Sequence, residues 1–406
     1  MPDGQVLRKR AEEALKVRGA YGKDYELDSY EAASSDRDRV ESLEDIAADQ
    51  RKTMTDVGVI PDSVGRSGSL IYVDNTVVHN TTADQGLELI PTHEAMEKYD
   101  WLEDYAWRAV QVDKDKYTAR AYLENANGYF IRVKAGKKVE FPVQTCMMID
   151  SNKRTQHTHN IIIVEEGASL DIITGCATSG HASESLHLGM SEIYVHENGS
   201  LNFSMIHNWG KETGVRPRTG VELGKNAKFV NNYVIMKPAG SVQSYPTCYL
   251  NGEGASAKFN SIALSHPGSE IDLGSQVVMN APKTASEILS RSITLGGEMI
   301  ARGRLVGNAQ NIRAHLECRS LIMSETGRTL AIPELEAMYP DVEMTHEAAV
   351  GKIAREQVEY LMARGLDEDA AVGMIVRGFL EGSIRGLPES LREEIDEAVN
   401  MANLGN

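Results

Sequence analysis

The residues best equipped for chemistry in this chain are four cysteines and a few histidines. Cys318 sits in the run Ala314-His-Leu-Glu-Cys-Arg-Ser-Leu-Ile-Met. Read as a strand, its alternation puts Leu316 and Cys318 on one face and His315, Glu317 and Arg319 on the other. Apolar burial disfavours the reactive thiolate, and nearby cations or metal favour it. An inward Cys318 is therefore either an inert core thiol or a ligand whose site has to open. Thr345-His346-Glu347-Ala348-Ala349 sets an imidazole beside a carboxylate, donors suited to a borderline metal such as iron. Adjacent residues on a regular element point apart, so His346 and Glu347 are expected to reach one ion only at an irregular corner. Cys176 follows Gly175 after a strand-like run and is expected at an exposed turn, where it could accept sulfur. His157 and His159 share a strand face, either as a metal pair or as packed or solvated side chains. His207-Asn208-Trp209 reads as a turn anchored by an aromatic.

The cysteines exclude several classes. Cys146, Cys176, Cys248 and Cys318 lie 30, 72 and 70 residues apart. A structural zinc or a stable ferredoxin-type cluster wants C-x-x-C-type spacing, and a disulfide framework wants dense cysteines in a small secreted chain. Four reduced thiols, most of them buried, are expected instead. The formal net charge of −17 argues against nucleic acid, whose affinity rests on clustered Lys and Arg. The basic run Lys134 to Lys138 is broken by Ala135 and Gly136 and reads as a solvated turn. No apolar run approaches the ~20 residues of a membrane helix. The N-terminus opens on a charged helical pattern instead of a signal peptide, so a cytoplasmic protein without membrane contact is expected.

The elements that must position these residues fall into three zones. Residues 1–66 read as helix and loop. Val6, Leu7, Ala11, Ala14 and Leu15 fall on one helical face, and Ser42 to Asp56 is predicted as a second helix capped by Ser42. Residues 67–342 carry short strand-like runs: Leu70–Val73, Tyr129–Val133, Val139–Val143, Asn160–Val164 and Glu192–His196. A helical insertion over about 92–110 interrupts them, with Thr92 as its predicted cap. Aromatics at 6% and 35 glycines favour many tight turns and small aliphatic strands. Gly167-Ala-Ser-Leu-Asp-Ile, Gly199-Ser-Leu-Asn-Phe, Asn226-Ala-Lys-Phe-Val, Gly254-Ala-Ser-Ala-Lys-Phe and Gly268-Ser-Glu-Ile-Asp-Leu repeat one turn–strand grammar. Such units bury their inner faces only by stacking, as in a solenoid, although the 27–32-residue spacing has one interval of 14 and a two-sheet sandwich competes. Residues 343–406 turn helical. Val358, Leu361 and Met362 form one stripe, Ala371, Met374 and Ile375 a second, and Leu391, Ile395 and Val399 a third, self-packed or presented to a partner.

Taken together, several pieces over roughly residues 120–382 resemble the SufB/SufD family, the scaffolds of SUF iron–sulfur cluster assembly. They are Asn127-Gly-Tyr-Phe-Ile-Arg-Val-Lys-Ala-Gly-Lys-Lys-Val-Glu-Phe-Pro-Val-Gln, Gly175-Cys-Ala, Leu186-His187, and His207-Asn-Trp, where SufB usually has Gln-Asn-Trp. Cys318-Arg-Ser-Leu-Ile-Met, His346-Glu-Ala and Arg364-Gly-Leu-Asp-Glu-Asp-Ala-Ala-Val-Gly-Met-Ile-Val-Arg-Gly-Phe complete the set. The resemblance implies a mainly β protein, a right-handed parallel β-helix flanked by N- and C-terminal helical domains. It implies a scaffold, not an enzyme. Cys318, His346 and Glu347 would hold a transient, iron-containing nascent cluster, and Cys176 would receive sulfur from the donor system. It further implies a C-terminal domain that docks a SufC-type ABC ATPase. Dimerisation through the β-helix follows, as a homodimer or with a SufB/SufD paralogue. Cys318 together with His346-Glu-Ala favours SufB over SufD, in a compact form; a role for flavin stays open. ATP-driven movement of the docked ATPase would expose the inward Cys318. The alternatives are an adaptor that regulates the ATPase without binding a cluster, and a β-helix polysaccharide protein. The three tryptophans and the missing signal sequence argue against the latter.

Overall fold

The repeated turn–strand grammar closes into a β-solenoid of about eight turns. A computed structural model of the chain describes residues 4–19, 22–33, 36–61, 63–182 and 184–381. Two sheets, of ten and twelve strands, face each other across one interior. Each later coil contributes one long strand to each sheet. Ser256–Ser265 lies in the ten-stranded sheet, Glu270–Met279 in the twelve-stranded one, and Ala285–Thr294 back in the first. This resolves the uneven repeat. The motifs from Gly167, Gly199, Asn226 and Gly254 all open strands of the ten-stranded sheet, whereas Gly268 opens the next half-coil on the opposite sheet. One corner is marked by a left-handed residue in successive coils: Gly136, Gly167, Asn198, Asn226, Gly254, Lys283 and Asn311, 28 to 31 residues apart. Gly and Asn adopt that conformation at least cost, so they set the turn that starts each coil.

Inward side chains from both sheets form a single core, including Val143, Leu170, Phe203, Phe229, Phe259, Ile288 and Leu316. Phe229 and Phe259 meet edge to face at 5.7 Å, an arrangement worth about 0.5–1.5 kcal/mol beyond burial. At the N-terminal end the parallel stack gives way to antiparallel pairs, Gly68–Val73 with Thr76–Thr82 and Leu87–Pro91 with Tyr129–Val133. Helices α1 (Gly4–Ala14), α2 (Ala48–Thr55), α3 (Thr92–Lys98) and α4 (Lys116–Leu123) pack around this end. At the other end α5 (Arg355–Met362) and α6 (Glu368–Glu381) follow the last strand. Ala371, Val372, Val376 and Leu380 of α6 join an outer cluster with Ile293 of the ten-stranded sheet and Met323, just past its strand Arg313–Ile322.

Several boundaries differ from the sequence reading. Ser42 caps a short 3-10 turn, Leu43–Asp45, through a reciprocal capping box, and the helix proper starts only at Ala48. The insertion is α3 plus a 3-10 stretch, Asp100–Asp104. Thr92 lies inside α3, and its hydroxyl donates to the His159 carbonyl at 2.7 Å instead of capping. The strand expected over Val139–Val143 runs over Val143–Ile149, because Pro142 has no N–H to enter the ladder. Glu343–Gly351 is a full strand, so the stack continues past the expected boundary at 342 and the helices begin at Arg355. On the C-terminal stripes Val358 and Ala371 are buried while Met362 and Met374 are exposed. Leu391, Ile395 and Val399 lie outside the described residues.

Candidate functional site

Cys318 lies on the strand Arg313–Ile322 with its side chain fully buried in the inner core. Its ladder partners are Ser290 on one side and Ala348 on the other. Burial pushes the thiol up to about 11; the neighbouring Glu317 carboxylate adds to the rise and Arg291 opposes it. At neutral pH the group is a thiol, so ligation requires a change of surroundings.

His346 is in register with Leu316 on the terminal strand Glu343–Gly351, and Met344, two residues earlier, packs on the inner core. His346 therefore shares the inner face with Cys318 as a diagonal neighbour, about 8 Å away by strand geometry. Glu347 is in register with Glu317 on the opposite face, where its carboxylate accepts from Arg319 Nη2 at 2.7 Å. The expected irregular corner is absent, because Thr345 to Ala349 belong to a regular strand. One chain thus brings Cys318 and His346 together and leaves Glu347 on the other side of the sheet. Among the described residues no group of three His, Cys, Asp or Glu is placed to hold one metal ion.

Among the described residues Glu343–Gly351 has a ladder partner on one side only, and so does Arg328–Ala337 on the facing sheet. Their side chains are mostly exposed, His346 among them. Of fourteen exposed large apolar side chains among the described residues, eight lie between Leu330 and Met374. Five of those, Leu330, Leu335, Met338, Tyr339 and Val350, belong to the last coil. Unpaired N–H and C=O groups flanked by apolar side chains are a template for another chain.

Cys176 departs from expectation. It lies within the strand Ser169–Thr178, buried in the same interior, and not at an exposed turn. Gly175 faces outward, and a Cβ there would sit 2.4 Å from Val57 Cγ2. The Gly-Cys pair thus lets the N-terminal segment press on the sheet while the thiol points inward. Burial, with Cys146 nearby, drives the Cys176 thiol well above its ordinary value.

The interior around Cys176 is unusually polar, and alternation alone could have revealed it. Cys176 is the direct ladder partner of His207. Trp209 Nε1 donates to His207 Nδ1 at 3.2 Å, so the neutral imidazole carries its proton on Nε2, which is buried with no partner. His187 stands opposite, 4.8 Å from the Trp209 ring. Gln156 spends its amide N–H groups on the carbonyls of Asp74 and Met148, so its Oε1 accepts from His187 Nδ1 at 2.8 Å. A Cβ at Gly189 would lie 2.5 Å from His187 Nε2, so this imidazole takes up the space of a side chain. Burial holds both imidazoles at about 3; His157 lowers His187 further, and His187 lowers His207. His157 and His159 are packed residues: His159 bonds Glu192 at 2.8 Å and stacks 4.2 Å from Trp107. Five strand spacings separate Cys176 from Cys318, about 24 Å along the stack. Between them the inward column Thr174, Met205, Tyr233, Ser261, Ser290 ends on Cys318. Tyr233, Ser261 and Ser290 also line a cavity of about 20 Å³, room for one water.

Residues 147–379 match the family described as SUF system FeS cluster assembly, SufBD core domain. An iron–sulfur cluster assembly SufBD family protein of Methanothermobacter thermautotrophicus is 41% identical over 403 residues, 98% of both chains. One from Archaeoglobus fulgidus is 44% identical over 352 residues, 87% of this chain and 95% of the relative. The iron–sulfur cluster assembly protein SufB of Bacillus subtilis is 32% identical over 344 residues, 82% of this chain and 73% of the relative.

Proposed function

The chain belongs to the SufBD family of iron–sulfur cluster assembly proteins, and on that premise we propose that it is a scaffold on which a nascent cluster is built at an interface between two copies. The observation that carries the reading is the placement of Cys318 and His346. They share the inner face at the exposed end of the stack, His346 on the terminal strand and Cys318 one strand in, at an edge that pairs with no further strand among the described residues. Pairing of two such edges by a two-fold axis brings two sets of these residues together, an isologous arrangement. Each subunit contributes too few ligands to keep a cluster, which suits a cargo that is handed on. A SufD-like paralogue could take the place of the second copy.

Glu347 sits behind the sheet, paired with Arg319. For it to ligate iron, the terminal strand has to rotate or shift, and the same movement uncovers Cys318. A SufC-type ATPase docked on α5 and α6 supplies a lever for it, since α6 packs on the outer face of this end, with Phe379 beside Arg291. Cys176 is the sulfur acceptor. Its thiol lies in an interior lined by His187, His207 and Trp209, where the His207 Nε2–H is free to donate to a bound sulfur anion. No helix among the described residues is long and apolar enough to cross a membrane.

Anaerobic reconstitution with iron and sulfide, read by visible absorption and iron content, tests the scaffold. Cys318→Ser is expected to lose the cluster while retaining the circular dichroism of the wild type. Wild-type cluster yield in that variant sinks the ligand assignment and leaves the adaptor reading, which is indifferent to Cys318, His346 and Glu347.

A further inference from the structure

Cys176 is buried deep in the solenoid, and any sulfur it accepts has to cross the wall. The exposed end of the stack, beyond Cys318, is about 24 Å away. The capped end is closer. Tyr72, Met147 and Cys176 are successive ladder partners on Gly68–Val73, Val143–Ile149 and Ser169–Thr178, which puts Cys176 about 10 Å, two strand spacings, beneath Tyr72. Tyr72 points inward and crosses the interior, donating its hydroxyl to the His157 carbonyl on the facing sheet at 3.3 Å. On the other side of Tyr72 lies a polar cavity of about 500 Å³. Its walls include Arg37, Arg39, Asn75, Thr76, His93 and His157. Three of these carry buried polar atoms with no hydrogen-bond partner: Arg37 Nε, Thr76 Oγ1 and His157 Nε2. Such atoms are rare in folded proteins and cluster where a ligand or water belongs.

We propose that this cavity is the mouth through which a low-molecular-weight persulfide reaches Cys176, with Tyr72 and Met147 as the barrier that it passes. The inference rests on the reading of Cys176 as sulfur acceptor and adds its entrance, its gate and the class of donor. The volume admits an amino-acid-sized persulfide, and the unpartnered Arg37 Nε, Thr76 Oγ1 and His157 Nε2, with the Arg39 guanidinium, offer polar contacts to its carboxylate and terminal sulfur. In the transfer, the Cys176 sulfur attacks the donor's terminal sulfur. A new S–S bond forms on Cys176 and the donor's own S–S bond breaks. The electron pair leaves on the donor's inner sulfur, which takes the Cys176 proton, so donor thiol and Cys176 persulfide result with no external oxidant. The His207 Nε2–H, in register with Cys176, donates to the new persulfide, which keeps the proton that the terminal sulfur brought.

The full chain, kept anaerobic, is alkylated with iodoacetamide and the rate at each cysteine is followed by peptide mass spectrometry. Tyr72→Ala is expected to raise the rate at Cys176 ten-fold or more, while Cys248, buried in the same interior, stays at its wild-type rate. Thr76→Trp, which obstructs the cavity beside Tyr72 and leaves the interior alone, is expected to lower the Cys176 rate at least three-fold, so the idea stays testable even where Tyr72→Ala folds poorly. An unchanged Cys176 rate in Thr76→Trp, or Cys176 and Cys248 rising in step in Tyr72→Ala, overturns the mouth. The second arm uses cysteine persulfide: sulfane sulfur on Cys176 should follow the same order, Tyr72→Ala above wild type above Thr76→Trp. Alkylation in that order with no sulfur loading overturns the donor class. Loading in that order, with wild-type cluster yield in Cys176→Ser, keeps the mouth and discards the acceptor role.

Discussion

At the first coil the interior is shut by Tyr72 spanning the two sheets, by antiparallel strand pairs and by helices α1 to α4. At the last coil Leu335, His346 and Val350 lie exposed on strands that have no second partner among the described residues. The same repeating backbone serves both ends, so the difference lies in what the flanking sequence was made to cover. Outside the cavity beside Tyr72, where Arg37 Nε, Thr76 Oγ1 and His157 Nε2 lack partners, the covered end holds its polar groups by many short bonds. Asp74, wholly buried, accepts from the backbone N–H groups of Asp150 and Ser151, from the Ser151 hydroxyl and from Arg37. The exposed end holds its charges by solvent-facing pairs such as Arg319–Glu347. One end is built for permanence and the other for exchange of neighbours.

If that contrast is real, acid should attack the covered half first. Burial lowers His157 to about 4 and His187 and His207 to about 3, below the ordinary 6.5. Folded-state values below the unfolded value mean that the unfolded chain takes up protons first as pH falls. The contribution is complete above pH 6.5 and shrinks below it, by about 2 kcal/mol per histidine on reaching pH 5. Urea unfolding at pH 7 and pH 5 measures it, and His187→Gln with His207→Gln should shrink the difference; an identical pH dependence contradicts neutral interior imidazoles. Next in size, Asp74→Ala strands four donors and puts Ala at a left-handed φ of 52°, so a loss of about 3–5 kcal/mol is expected by the same method. A change below 1 kcal/mol would mean that the covered end is not held by this carboxylate.

At the exposed end the effects should move from stability to association. Leu335→Asp is expected to change unfolding by about 0.5 kcal/mol or less, yet weaken self-association ten-fold or more, about 1.4 kcal/mol, in sedimentation. Unchanged association in that variant removes the last coil as an interface. The smallest effect is reserved for Glu347→Gln, which loses a solvent-exposed pair worth about 0.5 kcal/mol. A loss of several kcal/mol there would show Glu347 to be structural, and blur the distinction between the ends.

Much of the stack could be read from residue order, because a coil's left-handed corner selects Gly or Asn and its strands alternate. Cys318 facing inward followed from that alternation. What stayed hidden depended on pairing across distant residues. Gly175-Cys176 looks like a turn until Val57, from more than a hundred residues earlier, occupies the space that the glycine leaves. His346 and Glu347 look like a pair until the register with Leu316 and Glu317 sends them to opposite faces. His187 was visible only as part of a short motif, since nothing local says that Gln156 will meet it. The 14-residue interval was a clue to two sheets per coil, but it reads as noise without the ladder.

The corner ladder of Gly136, Gly167, Asn198, Asn226, Gly254, Lys283 and Asn311 makes the molecule a ruler with a fixed graduation. Distances along its axis are counted in whole coils, so the gap between Cys176 and Cys318 can lengthen or shorten only by one strand spacing at a time. Removing a complete coil between them would bring the two thiols closer by one graduation and keep both facing inward. Losing a single residue from the strand Arg313–Ile322 ahead of Cys318 would instead reverse the phase of the rest of that strand, and turn Cys318 to the outer face.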